Sequence, residues 1–114
     1  MKRFLLYAIG LLALASCQAP QTLYSWYDSE DATYEYTKRL TEEKLEYAMK
    51  QYQKVIAKQK GFRKTVPPGV NAEYGFLLYK AGKKDEGLSL LKAEINSYPE
   101  SEVFISRIIK QLEK

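Results

Sequence analysis

One thiol, no imidazole and a scatter of carboxylates set the chemistry open to this chain: its 114 residues include one Cys, no His and 14 Asp plus Glu. Without histidine there is no imidazole base near neutral pH and no imidazole metal ligand, and the lone Cys17 supplies neither a disulfide nor a thiolate cage. The carboxylates offer one pairing suited to acid–base cleavage of a glycan, Glu73 with Asp85 or Glu86 beside a turn. No strained nucleophile motif accompanies them. Asp28, Glu30 and Asp31 read either as a divalent-cation cluster or, more simply, as the charged start of a helix. The glycines are scattered, with no G-x-x-x-x-G-K phosphate loop. The expectation is a chain that is not an enzyme, with no catalytic residues, no metal and no small-molecule cofactor.

The thiol has a more specific setting. Residues 1–16 carry Lys2 and Arg3, then an apolar run from Phe4 to Ala15, then Ser16 before Cys17, which is the layout of a secretory signal. Twelve residues from Phe4 to Ala15 rise about 18 Å as a helix, short of the ~30 Å hydrocarbon core, so a spanning helix is disfavoured. Leu14-Ala15-Ser16-Cys17 resembles the bacterial lipobox at all four positions. That resemblance implies cleavage between Ser16 and Cys17 and a covalent lipid on Cys17; the alternative is a conventional signal with an incidental cysteine. Several acyl chains exceed what stable anchoring needs. By resemblance to enterobacterial sorting rules, Gln18 in place of aspartate implies the outer membrane.

Cleavage leaves 98 residues with 16 basic and 14 acidic side chains, a net charge of about +2. The Lys residues are read as alternating with Glu rather than forming a basic stripe, so no nucleic-acid partner is expected. Residues 17–22 include Pro20 and no periodic pattern, a lipidated tether. Five extended residues reach at most about 17 Å, which keeps the folded part close to the bilayer.

Residues 23–114 then read as one all-α domain of about five helices. Leu23 to Tyr27 form an aromatic cluster in which Trp26 rests against the headgroup layer or a partner, or else packs over the helical core. A short helix follows to about Lys38. Thr41 is placed to cap the next one, with Leu40 stapling onto Leu45, and Leu45, Ala48, Met49, Tyr52, Val55 and Ile56 make one helical stripe. Gly61 is expected to end that helix near residue 60. Pro67-Pro68-Gly69 breaks the chain, with a proline opening the following helix. Ser101 is expected to cap a last helix with Ile105, Ile108, Ile109 and Leu112 inward.

Tyr74, Gly75, Leu78, Gly82, Gly87, Leu91 and Pro99 resemble the tetratricopeptide repeat, a ~34-residue helix-turn-helix. The resemblance places small residues at Gly75 and Gly87 for close helix packing. Asn71 and Glu94 depart from it, standing for a large apolar and a small residue, and imply looser packing. It also places Ala72, Phe76, Tyr79 and Lys80 on the concave side with Lys83 at the rim. Ala72 and Phe76 replace the Lys and Asn of carboxylate-clamp repeats, so capture of a free peptide C-terminus is not expected.

The lipobox, L-Y-x-W at Leu23 to Trp26, V-P-P-G at Val66 to Gly69 and Y-P-E-S-E-V-F at Tyr98 to Phe104 together resemble a family of small bacterial lipoproteins, a domain of unknown function. Membership implies an envelope partner similar to the curli secretion channel. The expected function is thus a non-enzymatic interaction scaffold or accessory subunit of an envelope secretion or assembly complex. It would be lipid-anchored in the outer membrane facing the periplasm and would bind through Phe76, Tyr79, Lys80, Lys83 and Trp26. The alternatives are a structural envelope lipoprotein without a dedicated partner, or a peptidoglycan hydrolase using Glu73.

Overall fold

The computed structural model of the protein describes residues 1–15 and 20–114. Among the described residues all regular structure is helical: α1 Lys2–Ala15, α2 Ser29–Arg39, α3 Glu42–Ala57, α4 Val70–Lys80, α5 Lys84–Ser97 and α6 Glu102–Leu112, with a 3-10 turn at Pro99–Ser101. Five helices therefore follow α1, two before the Pro67-Pro68-Gly69 break, a pair after it and a terminal one. No helix among the described residues is long and apolar enough to cross a membrane. Ser16 and Cys17, the expected cleavage and lipidation positions, lie outside the described residues.

α2 and α3 form the first antiparallel pair. The reversal between them needs Leu40 in the left-handed region, φ 51°, where its N–H donates to the Tyr36 carbonyl at 2.7 Å. Leu40 is thereby turned outward, 72% exposed, and does not provide the staple expected with Leu45. Thr41 does cap α3, its Oγ1 accepting from the Lys44 N–H at 3.3 Å. The α3 stripe is as spaced: Ala48, Tyr52 and Val55 are buried, with Leu45, Met49 and Ile56 half-buried around them.

α3 stops at Ala57 with Lys58 as its C-cap, three residues before the expected end. Gly61 serves another purpose. The incoming segment lies across it so closely that a Cβ there would sit under 3 Å from the Leu23 carbonyl and Tyr24 Cα. This strap is fastened by the Phe62 and Arg63 N–H groups donating to the Thr22 and Leu23 carbonyls at 2.9 and 3.1 Å. Ser25 and Gln59 exchange two more bonds, at 3.0 and 2.7 Å.

α4 is opened by Gly69 at φ 91°, rather than by a proline at its first position. It pairs with α5 at a distance only glycine permits: a Cβ on Gly75 would lie 2.7 Å from the Gly87 carbonyl oxygen. Asn71 and Glu94, expected to loosen this pair, are both buried. One core joins the two hairpins, from Ala32, Ala48, Tyr52 and Val55 to Val70, Tyr74 and Leu78, with the Tyr52 and Tyr74 rings stacked at 5.9 Å. α6 closes the far side over buried Ile105. Ser101 does not cap it; its hydroxyl donates back to the Tyr98 carbonyl at 2.7 Å, inside the 3-10 turn.

Candidate functional site

On α4 the expected contact residues divide. Tyr79 is committed to the fold, its hydroxyl donating to the Leu112 carbonyl at 3.0 Å, so it ties α4 to α6. Phe76 keeps 41% of its surface, and Lys80 and Lys83 are exposed. Trp26 stands elsewhere, beside the start of α2, edge-on to Tyr24 at 6.2 Å. Glu73 is not brought to Asp85 or Glu86. It lies in the first turn of α4, whereas those two open α5 beyond the other end of α4, which is itself about 10 Å along the helix axis from Glu73. Asp28, one of the acidic trio, accepts the Tyr47 hydroxyl at 2.5 Å.

What the fold gathers instead is the set of distant motifs, around the Pro67-Pro68-Gly69 turn. Tyr98 donates its hydroxyl to the Val66 carbonyl at 2.6 Å. Burial, together with a hydrogen bond to Tyr24 and the negative field of Glu94, pushes its pKa up to about 12. A crevice opens on each side of the turn. The first, about 260 Å³, is walled by Trp26, Glu30, Thr33, Tyr52 and Glu73. There Tyr52 donates to Glu73 Oε2 at 2.6 Å and meets Thr33 Oγ1 at 2.6 Å, and desolvation reinforced by the Glu73 bond raises the Tyr52 pKa.

The second crevice, about 390 Å³, is mostly apolar and is walled by Pro68, Ala72, Tyr98, Phe104 and Ile105, with Glu73, Glu94 and Glu100. Glu94 is 2% exposed. Its Oε1 accepts the Gly69 N–H at 2.7 Å, which serves a donor at the start of α4 that glycine has no side chain to cap. Among the described residues its Oε2 has no hydrogen-bond partner. A buried, half-satisfied carboxylate is costly and favours a donor or cation brought to it. Phe104 at the mouth is 66% exposed. Sequence reasoning passed over Glu94, Tyr98 and Phe104 as site residues; the available signal was an acid at a packing position of the α4–α5 pair.

The motifs that meet here fall within one family domain: residues 23–108 match the family described as Domain of unknown function (DUF4810). The chain belongs to the DUF4810 family. In this DUF4810 protein the domain runs from the strap through most of α6, so it holds both crevices, while α1 precedes it. No curated protein and no solved structure shows significant similarity to the chain.

Proposed function

We propose that this DUF4810 protein is a lipid-anchored envelope scaffold, a non-enzymatic accessory subunit of an outer-membrane secretion or assembly complex. Its partner-binding surface is the pair of crevices flanking the Pro67-Pro68-Gly69 turn. The observation that carries the reading is Glu94: a buried carboxylate with one oxygen unpartnered beside the exposed Phe104 ring. Acid beneath the base and an aromatic at the mouth fit a partner's Lys or Arg, whose alkyl stem lies on apolar walls while its charge is attracted by the buried carboxylate. Two features support a tetratricopeptide-like scaffold: the Gly75–Gly87 contact, and the tie from Tyr79 to Leu112, 33 residues on, close to one repeat length. The signal-like α1 and the Leu14-to-Cys17 sequence support anchoring through a lipid on Cys17.

The test is affinity purification of C-terminally tagged protein from cross-linked native membranes, beside Phe104→Ala and Phe76→Ala variants. The expected result is stoichiometric recovery of a channel-like lipoprotein that falls at least tenfold in Phe104→Ala and stays within twofold in Phe76→Ala. Recovery of lipid and abundant porins alone would instead make this a structural envelope lipoprotein. Loss only in Phe76→Ala would return the contact to the concave-side residues of α4 that the repeat resemblance implies.

A further inference from the structure

The loop after α3 breaks the charge pattern of the rest of the chain. From residue 47 to 72 there are six cations, Lys50, Lys54, Lys58, Lys60, Arg63 and Lys64, and no carboxylate, so the alternation of Lys with Glu fails here. Lys54 is engaged, its Nζ 4.5 Å from the Tyr27 ring centroid. Lys58, Lys60, Arg63 and Lys64 are exposed, and among the described residues none is in an ion pair.

The backbone shapes these charges into a point. Gly61 to Lys64 is a tight turn in which the Lys64 N–H donates to the Gly61 carbonyl at 3.0 Å, with Lys64 at φ 51°. Phe62 and Arg63 occupy its corner, and Phe62 is 70% exposed. An aromatic ring held in water among four cations matches the boundary of a phospholipid layer, where the ring reaches apolar depth and the cations meet phosphates.

The strap supplies the second argument. Thr22 and Leu23 are hydrogen-bonded to Phe62 and Arg63 themselves, so the chain five residues after Cys17 is fastened to this turn. A lipid on Cys17 therefore holds the turn within about 17 Å of the bilayer, whatever the rest of the molecule does.

We propose that the Lys58 to Lys64 turn is a second membrane contact that binds anionic phospholipid headgroups and seats Phe62 at the acyl boundary. It converts attachment by a lipid alone into a fixed orientation. The orientation rests on the lipid-anchored reading; the headgroup chemistry rests on the turn alone.

The test uses the purified full-length lipoprotein in vesicles containing brominated acyl chains, with a Phe62→Trp probe compared against the parent, whose sole Trp is Trp26. In vesicles with one part phosphatidylglycerol to two of phosphatidylcholine, the Phe62→Trp protein should be quenched at least twofold more than the parent. Adding Lys58→Glu, Lys60→Glu and Lys64→Glu, all at exposed positions, should return quenching to the parent level with an unchanged circular dichroism spectrum. Parent-level quenching of the Phe62→Trp protein, or quenching unaffected by the charge reversals, overturns the proposal. Intact mass separates the two readings: an acylated Cys17 with an unquenched probe keeps the anchor and sinks the turn. If Cys17 carries no lipid, the chain floating with anionic but not zwitterionic vesicles keeps the turn and sinks the anchor.

Discussion

Glu94 is asked to do two things, and its substitutions separate them. Through Oε1 it satisfies the Gly69 N–H, and through Oε2 it leaves a negative group at the base of a crevice. Glu94→Ala leaves the Gly69 donor unpaired and should cost about 1–3 kcal/mol of folding stability in urea titration. Glu94→Gln keeps an acceptor for Gly69 and should lose less than about 1 kcal/mol, yet abolish cross-linking to the partner because the charge is gone. The tyrosines give a pH signature. Tyr98 holds its proton up to about 12 in the folded chain, against an ordinary value of 10.0 once unfolded. The folded state thus binds the extra proton between these values, so this contribution is complete below pH 10 and disappears as pH rises through 12. Denaturant midpoints should be flat from pH 7 to 9 and fall between 10 and 12, and Tyr98→Phe should reduce that fall. Of these residues, Thr41 was readable as a cap because its partner lies three positions away. The Glu94–Gly69 bond spans 25 residues and was visible only as an acid out of place.

At the scale of elements, the glycines decide how the helices meet. The tetratricopeptide resemblance implied a contact between two helices at Gly75 and Gly87, and the backbones do meet there. Helix positions were readable from the 3.6-residue period because burial on one face enforces it. Loop purposes were not: Gly61 looks like a helix stop from its place in the chain, whereas its lack of a side chain admits Leu23 and Tyr24, 38 and 37 positions earlier. Leu40 shows the same limit, since the demand for a left-handed residue at the reversal overrides its preference for burial. Gly87→Ala tests the principle. Helix propensity favours alanine by about 1 kcal/mol, but the added Cβ would press on the Gly75 carbonyl and the Tyr79 N–H, and overpacking of this kind costs about 1–3 kcal/mol. Because the Gly75 carbonyl and the Tyr79 N–H are backbone, which gives least, the steric side should win: thermal unfolding is expected several degrees lower, with α-helical content preserved.

The whole molecule is electrically divided. Residues 47–72 hold six cations and no acid, while the rest of residues 17–114 has ten cations against fourteen carboxylates, among them the crevice residues Glu30, Glu73, Glu94 and Glu100. On the proposed reading, membrane and partner are addressed by opposite charge, and both proposed contacts lie on the chain leading into α4. Val66 to Gly69, which flanks the crevices, follows the Gly61 to Lys64 turn after a single residue, Thr65, and that turn is fastened to the Thr22–Leu23 segment. If the chain is lipid-anchored as proposed, a partner bound there is bound at a set height above the bilayer. Height is therefore an independent variable. Inserting about 20 Gly and Ser residues between Gln18 and Thr22 lengthens the tether to a root-mean-square span of roughly 25 Å without touching the strap, either crevice or the core. Thermal stability of the purified protein should not change. Cross-linking to a membrane-fixed partner should drop several-fold, because the longer tether dilutes the site through a larger volume and releases its alignment. Cross-linking that is indifferent to the insertion would mean that the partner comes to this protein from solution, with the lipid serving only to retain it in the envelope.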